Sequence, residues 1–142
     1  MLKHSPFSGA KIALLSEGQI LIYLRDDKTD IPWPGLWDLP GGGREGNETP
    51  LECALRETEE EFGLTVDPTS VVWTRVYPGQ GANGLDTWFY VAEVPPGTFA
   101  TLRFGDEGQR WEVTTVEAFL SNSSAIKHFQ QRLREYLLQV SF

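Results

Sequence analysis

Residues 42–64 read GGREGNETPLECALRETEEEFGL, and the second half of this stretch carries the marks of a helix. Thr49 suits the N-cap, Pro50 the first helical position, and Glu52 stands three residues after Thr49 as in a capping box. Gly63 supplies the left-handed stop. At about 100° per residue, Leu51, Leu55, Thr58 and Phe62 share the side predicted to face a core, with Thr58 as its weakest member. Glu57, Glu60 and Glu61 converge on another side, while Glu59 points toward Arg56 and Glu52. Acids at a helix C-terminus oppose the dipole at a cost of about 0.3–1 kcal/mol each, and like-charge neighbours add to it. One explanation is a solvated acidic face. The other is a hard divalent cation, Mg²⁺ or Mn²⁺, which prefers oxygen ligands and reverses the sign of that penalty. The glycines upstream favour the cation, because they let backbone approach a ligand closely.

On either side of this stretch the chain reads as short strands. AKIALLS and QILIYLR flank Glu17-Gly18, a hairpin signal, and SVVWTRVYP and DTWFYVAEV flank the glycine-rich GQGANGL. RWEVTTV is a fifth strand. From Ser123 to Val140 the apolar residues Ile126, Phe129, Leu133, Tyr136, Leu137 and Val140 recur at spacings of three and four, predicting an amphipathic helix over one sheet face. Strands before, between and after helices give an α+β class, a sheet sandwiched by helices. With 142 residues, no repeat and no dividing linker, residues 1–142 are expected to form a single domain.

A formal net charge of -8 repels nucleic-acid polymers and anionic membranes, so neither is an expected partner. The lone cysteine, Cys53, excludes an intramolecular disulfide and fits a reducing compartment. The first residues lack the apolar run of a secretion signal. A cytoplasmic protein, monomer or homodimer, is the expectation.

Gly42, five residues, Glu48, seven residues and then RETEEEFGL match the signature of the Nudix hydrolases, apart from Thr58 where a bulky aliphatic is usual. On these residues the sequence resembles that family, and LIYLR, LWDLPGG and GDEGQRWEV are similar to segments of its MutT-type nucleoside triphosphate pyrophosphohydrolases. The resemblance implies an α/β/α sandwich with a mixed β-sheet. It implies hydrolysis of a nucleoside diphosphate linked to another group, here a nucleoside triphosphate, with oxidised bases among the candidates, cleaved to monophosphate and pyrophosphate. It also implies metal ligands at Glu57, Glu60 and Glu61, with the Gly41 carbonyl as a backbone ligand and Glu107 as a carboxylate delivered from a separate loop. Glu107 itself reads as a solvated loop acid, or as a loop-delivered group that binds a metal or takes the proton of the attacking water, with Glu60 the next base candidate. Arg56 orients the helix acids and Glu48 reaches back toward the loop or a metal-bound water. ADP-ribose or another sugar nucleotide is the alternative substrate. Pro78 lies near, though not at, the position of a proline that accompanies ADP-ribose specificity. A nucleotide-binding module without turnover is the alternative of a different class.

Around the acids the reading leaves several roles open. Arg25 binds phosphate or caps the acidic pair Asp26-Asp27. Trp33 and Trp37 stack on a nucleobase or pack within the protein. Asn122 reads a purine edge or belongs to the turn before the last helix. Glu45 is a solvated loop acid or part of the site. Cys53 reads as a small helix residue, and His4 and His128 as surface residues.

Overall fold

The structure, a computed structural model, describes residues 6–140. Ten elements follow in chain order: β1 (Phe7–Ser16), β2 (Gln19–Leu24), β3 (Trp37–Asp38), β4 (Gly41–Gly43), α1 (Pro50–Phe62), β5 (Val71–Tyr77), β6 (Asp86–Glu93), β7 (Arg110–Thr115), α2 (Val116–Leu120) and α3 (Lys127–Val140). The strands form one mixed sheet in which β1 and β6 run parallel and the other pairs antiparallel. Glu17 and Gly18, both at positive φ, make the β1–β2 hairpin turn.

One departure from simple pairing builds the site. β1 and β2 pair with each other only near that turn, at Leu15↔Ile20 and Ser16↔Gln19. Beyond it β3 takes the place beside β2 and β4 the place beside β1, so residues 37–43 enter the sheet where the two long strands part. Gly41 has φ +124, and a Cβ there would fall on the Ala10 carbonyl, so this position accepts glycine alone.

Alternation along the strands divides the core into two layers. Ile12, Leu14, Leu21, Tyr23, Tyr90 and Ala92 meet Cys53, Ala54 and Phe62 of α1. Ala13, Leu15, Ile20, Ile22, Phe89 and Val91 meet Phe119 of α2 and Phe129, Leu133 and Tyr136 of α3. The architecture is therefore an α/β/α sandwich.

The ends of α1 are those read from its sequence. Thr49 and Glu52 form both halves of the capping box, and Gly63 closes the helix at φ 65. Its buried face is displaced from the expected one. Cys53, Ala54, Thr58, Glu61 and Phe62 are buried, whereas Leu51 and Leu55 are only partly covered. Small residues let α1 lie close to the sheet. Thr58 fits there because its hydroxyl donates to the Ala54 carbonyl at 2.7 Å. The last helix starts at Lys127 rather than Ser123, and α2 was not anticipated. Between them the Asn122 Oδ1 accepts the Ser124 N–H at 2.8 Å and turns the chain. His4 lies outside the described residues, as does the Val140 side chain. No helix among the described residues is long and apolar enough to cross a membrane.

Candidate active site

The acids of α1 gather around Arg56. Its Nε and Nη2 donate to the two oxygens of Glu48, each at 2.9 Å, the fork-to-carboxylate geometry that only arginine offers. Nη2 also reaches the Gly43 carbonyl at 2.8 Å, and Nη1 reaches Glu57 Oε1 at 2.9 Å and Glu60 Oε2 at 3.1 Å. Glu48 additionally accepts the Glu45 N–H at 2.7 Å. These bonds, Arg56 first among them, hold the Glu48 carboxyl down at about 2 and raise the pKa of the guanidinium. Arg56 thus joins the glycine loop, the turn before α1 and two helix acids.

Glu61 is held differently. It is 7% exposed, and its Oε1 accepts the Gly41 N–H at 3.0 Å. Burial pushes its carboxyl up to about 7, against the opposing pull of Lys11. Burial also raises Glu57, with Arg56 opposing. Desolvation is the first cause in both, so these two carboxylates are disfavoured as anions by their own burial.

The carbonyls at the end of α1 are answered by the 103–105 backbone. Arg103 N–H donates to the Phe62 carbonyl at 2.8 Å and Gly105 N–H to that of Glu61 at 2.7 Å. A Cβ on Gly105 would stand 2.8 Å from the Glu60 carbonyl, so the approach requires glycine. This docking delivers Glu107. Glu45, Glu57, Glu60, Glu61, Asp106 and Glu107 line one cavity of about 270 Å³. Glu59, which the helical wheel sets apart from the other acids, is absent from that lining.

Two further cavities share Glu107. One, of about 420 Å³, adds Lys11, Tyr23, Arg25, Trp33, Asp38, Gly41 and Phe129 to Glu57 and Glu61. The other, of about 260 Å³, is bordered by Arg25, Asp26 and Lys28. The arrangement runs from an acidic end to an aromatic end, with Arg25 and Lys11 between.

Arg25 does not cap Asp26-Asp27. Its Nη1 meets Asp38 Oδ2 at 2.9 Å and its Nε the Pro32 carbonyl at 2.9 Å. Trp33, at φ 55 and 50% exposed, borders the aromatic end, with its ring 5.4 Å from that of His128. His128 is accordingly half-buried between Trp33 and Phe129, not the surface residue expected, and burial lowers its pKa. Trp37 packs in the core. Asn122 lines none of the three cavities, and its side-chain oxygen is used in the turn described above. Cys53 is fully buried, its thiol pushed up to about 12 mainly by burial and donating to the Gly42 carbonyl, which leaves no nucleophile there.

Sequence reasoning missed Lys11 and Asp38. Lys11 Nζ donates to Asp38 Oδ2 at 3.0 Å, the Leu39 carbonyl at 3.0 Å and the Gly41 carbonyl at 3.1 Å. Asp38, 1% exposed, also accepts from Tyr23 and Arg25. A lysine inside the apolar run AKIALLS was the available signal, since a charge on a buried strand needs a partner.

The donor set suits a hard divalent cation: every acid is an oxygen ligand. Arg56 or Gly41 engages one oxygen of Glu57, Glu60 and Glu61, and the second oxygen of each makes no hydrogen bond among the described residues. The side chains are not already closed into a cage, for no three acid, histidine or cysteine side chains among the described residues stand together as a metal-binding group.

Comparison with known proteins converges on one family. The family model described as the NUDIX domain matches residues 7–137. The chain is 37% identical over 62 residues to an RNA pyrophosphohydrolase of Erythrobacter litoralis, covering 44% of this chain and 36% of that protein. It is 45% identical over 59 residues to an 8-oxo-dGTP diphosphatase of Proteus vulgaris, covering 42% of this chain and 53% of that protein. The chain thus matches about a third to a half of the length of these two relatives. The crystal structure of the MutT protein from Methanosarcina mazei Go1 superposes with a TM-score of 0.76 over 99% of this chain and 100% of that one, at 19% identity, a likeness of fold.

Proposed function

The chain belongs to the NUDIX family, and from that membership we propose that it is a Mg²⁺- or Mn²⁺-dependent pyrophosphohydrolase cleaving a nucleoside triphosphate to the monophosphate and pyrophosphate. The observation that carries this reading is the single cavity formed by Glu57, Glu60 and Glu61 of α1 with Glu107 from the docked loop. These four acids and the Gly41 carbonyl are the residues that would hold the cation. When bound, the cation supplies the positive charge that lets an acidic protein accept and polarise a phosphoanhydride.

The remaining work falls to the chain's own groups. Arg56, pinned by Glu48, fixes the directions of Glu57 and Glu60. Glu107 takes the proton of the attacking water, and Glu60, exposed and close by, is the other base candidate. Trp33 at the mouth offers a face for the base, and Arg25 stands between base and acids as the partner for phosphate oxygens. Asn122 remains a candidate for the base edge only if the turn it holds opens. One water adds across the anhydride, and its protons leave with the products at neutral pH. The single buried cysteine suits a reducing cytoplasm, and a small nucleotide, rather than a polymer or a membrane, suits the acidic surface.

A panel of nucleoside triphosphates, oxidised guanine triphosphate among them, set beside ADP-ribose tests the substrate. Pyrophosphate release from a triphosphate is expected to lead the panel. Faster turnover of ADP-ribose than of every triphosphate replaces the substrate assignment, and binding with no turnover of any member replaces the enzyme with a binding module.

A further inference from the structure

The glycine run is the part of the site with the least conformational restraint of its own, because a glycine peptide plane rotates at little cost. Three successive carbonyls, those of Gly41, Gly42 and Gly43, are nevertheless each held by one side chain. Lys11 holds Gly41 at 3.1 Å, Cys53 holds Gly42 at 3.4 Å, and Arg56 holds Gly43 at 2.8 Å. Cys53 is a weak donor, and Arg56 is already assigned to the helix acids. Lys11 comes from the other side, from β1.

Its three ammonium protons are matched by three acceptors drawn from residues 38–41, so the whole β3–β4 connection wraps one charge. Its side chain is only 14% exposed. The preceding peptide is fixed independently, by the Ile12 N–H on the Pro40 carbonyl at 2.9 Å and by Glu61 on the Gly41 N–H. The next peptide is paired with β1 through its N–H, in the ladder that joins Ala10 to Gly42, but its carbonyl, that of Gly41, points out of the ladder, and that oxygen's hydrogen bond is the one from Lys11.

We infer that Lys11 is a positioning residue for the cation site, setting the direction of the Gly41 carbonyl and, through residues 38–41, joining the floor of the aromatic cavity to the acid cluster. The inference rests on the proposed metal-dependent activity. Removing the ammonium takes from the Gly41 carbonyl its side-chain donor, unties residues 38–41 from one another, and leaves Asp38 with one cationic partner in place of two.

Mn²⁺ binding to the full chain without substrate, followed by electron paramagnetic resonance, tests this. Lys11→Met is expected to weaken Mn²⁺ affinity by about tenfold or more, the usual effect of losing a group that orients ligands. Lys11→Gln, which keeps two donors, is expected to fall between Lys11→Met and the wild type, and serves alone if Lys11→Met does not fold. Ile12→Val, a change in the adjacent core, is expected to lower Tm while leaving Mn²⁺ affinity unchanged. Raising Mg²⁺ to saturation is expected to return kcat of the Lys11 variants toward wild type, because the loss lies in affinity. Folded Lys11 variants that bind Mn²⁺ as the wild type does overturn the inference and leave the proposed function standing. A wild-type chain that binds no Mn²⁺ overturns both.

Discussion

Glu107 and Glu61 show opposite ways in which one residue carries a site. Glu107 is brought to the cluster by backbone bonds two and four residues before it, and it borders all three cavities. Glu107→Gln is expected to lower kcat by about 10²-fold or more, the range for losing a general base, while Asp106→Asn beside it loses far less. Steady-state kinetics on folded variants check this, and wild-type turnover in Glu107→Gln moves the base role to Glu60. Glu61 makes itself felt without substrate. Its carboxyl, ordinarily at 4.5, is raised to about 7 by burial, so the folded chain holds this proton more tightly than the unfolded one. Its stabilising contribution is full below the unfolded value and is lost as pH rises through about 7, a swing of roughly 3 kcal/mol. In EDTA, Tm is therefore expected to fall over that window, and Glu61→Gln to flatten the fall while weakening Mn²⁺ binding. A pH profile identical in wild type and Glu61→Gln contradicts this. The convergence of these acids was legible in the sequence because helical spacing is regular. Lys11 and Asp38 were not, because their pairing joins strands whose register no local pattern states.

At the scale of elements, α1 was readable at both ends for the same reason: capping is local chemistry. Thr49→Ala is expected to cost about 1 kcal/mol in urea denaturation without altering turnover per folded molecule. Gly105→Ala is expected to do the reverse. Its methyl would press on the Glu60 carbonyl at 2.8 Å and push the 103–109 segment from the helix, lowering kcat more than stability. Equal effects of Gly105→Ala and Thr49→Ala on turnover would contradict the docking role given to that loop. The sequence did not disclose β3, β4 or α2, which are two, three and five residues long. Elements so short have no periodicity, and residues 37–43 become strand only because β1 and β2 part and leave backbone groups to be paired. The shift of the buried face of α1 toward Cys53 and Ala54 has a similar cause. Close packing against a sheet selects small side chains, and hydrophobicity alone favours Leu51 and Leu55.

Across the whole molecule, the net charge of -8 and an anionic substrate are compatible only if positive charge is concentrated where they meet. The chain supplies part of it with Lys11, Arg25 and Arg56, and each of these is already bonded to an acid. The remainder is assigned to the divalent cation, which makes metal dependence the claim on which the account turns. Phosphorus nuclear magnetic resonance of a nucleoside triphosphate incubated with the purified chain measures it most directly. With millimolar Mg²⁺ the account predicts monophosphate and pyrophosphate resonances that grow together, and that stop growing when EDTA is added in excess. The same two products forming at an undiminished rate in EDTA would contradict it.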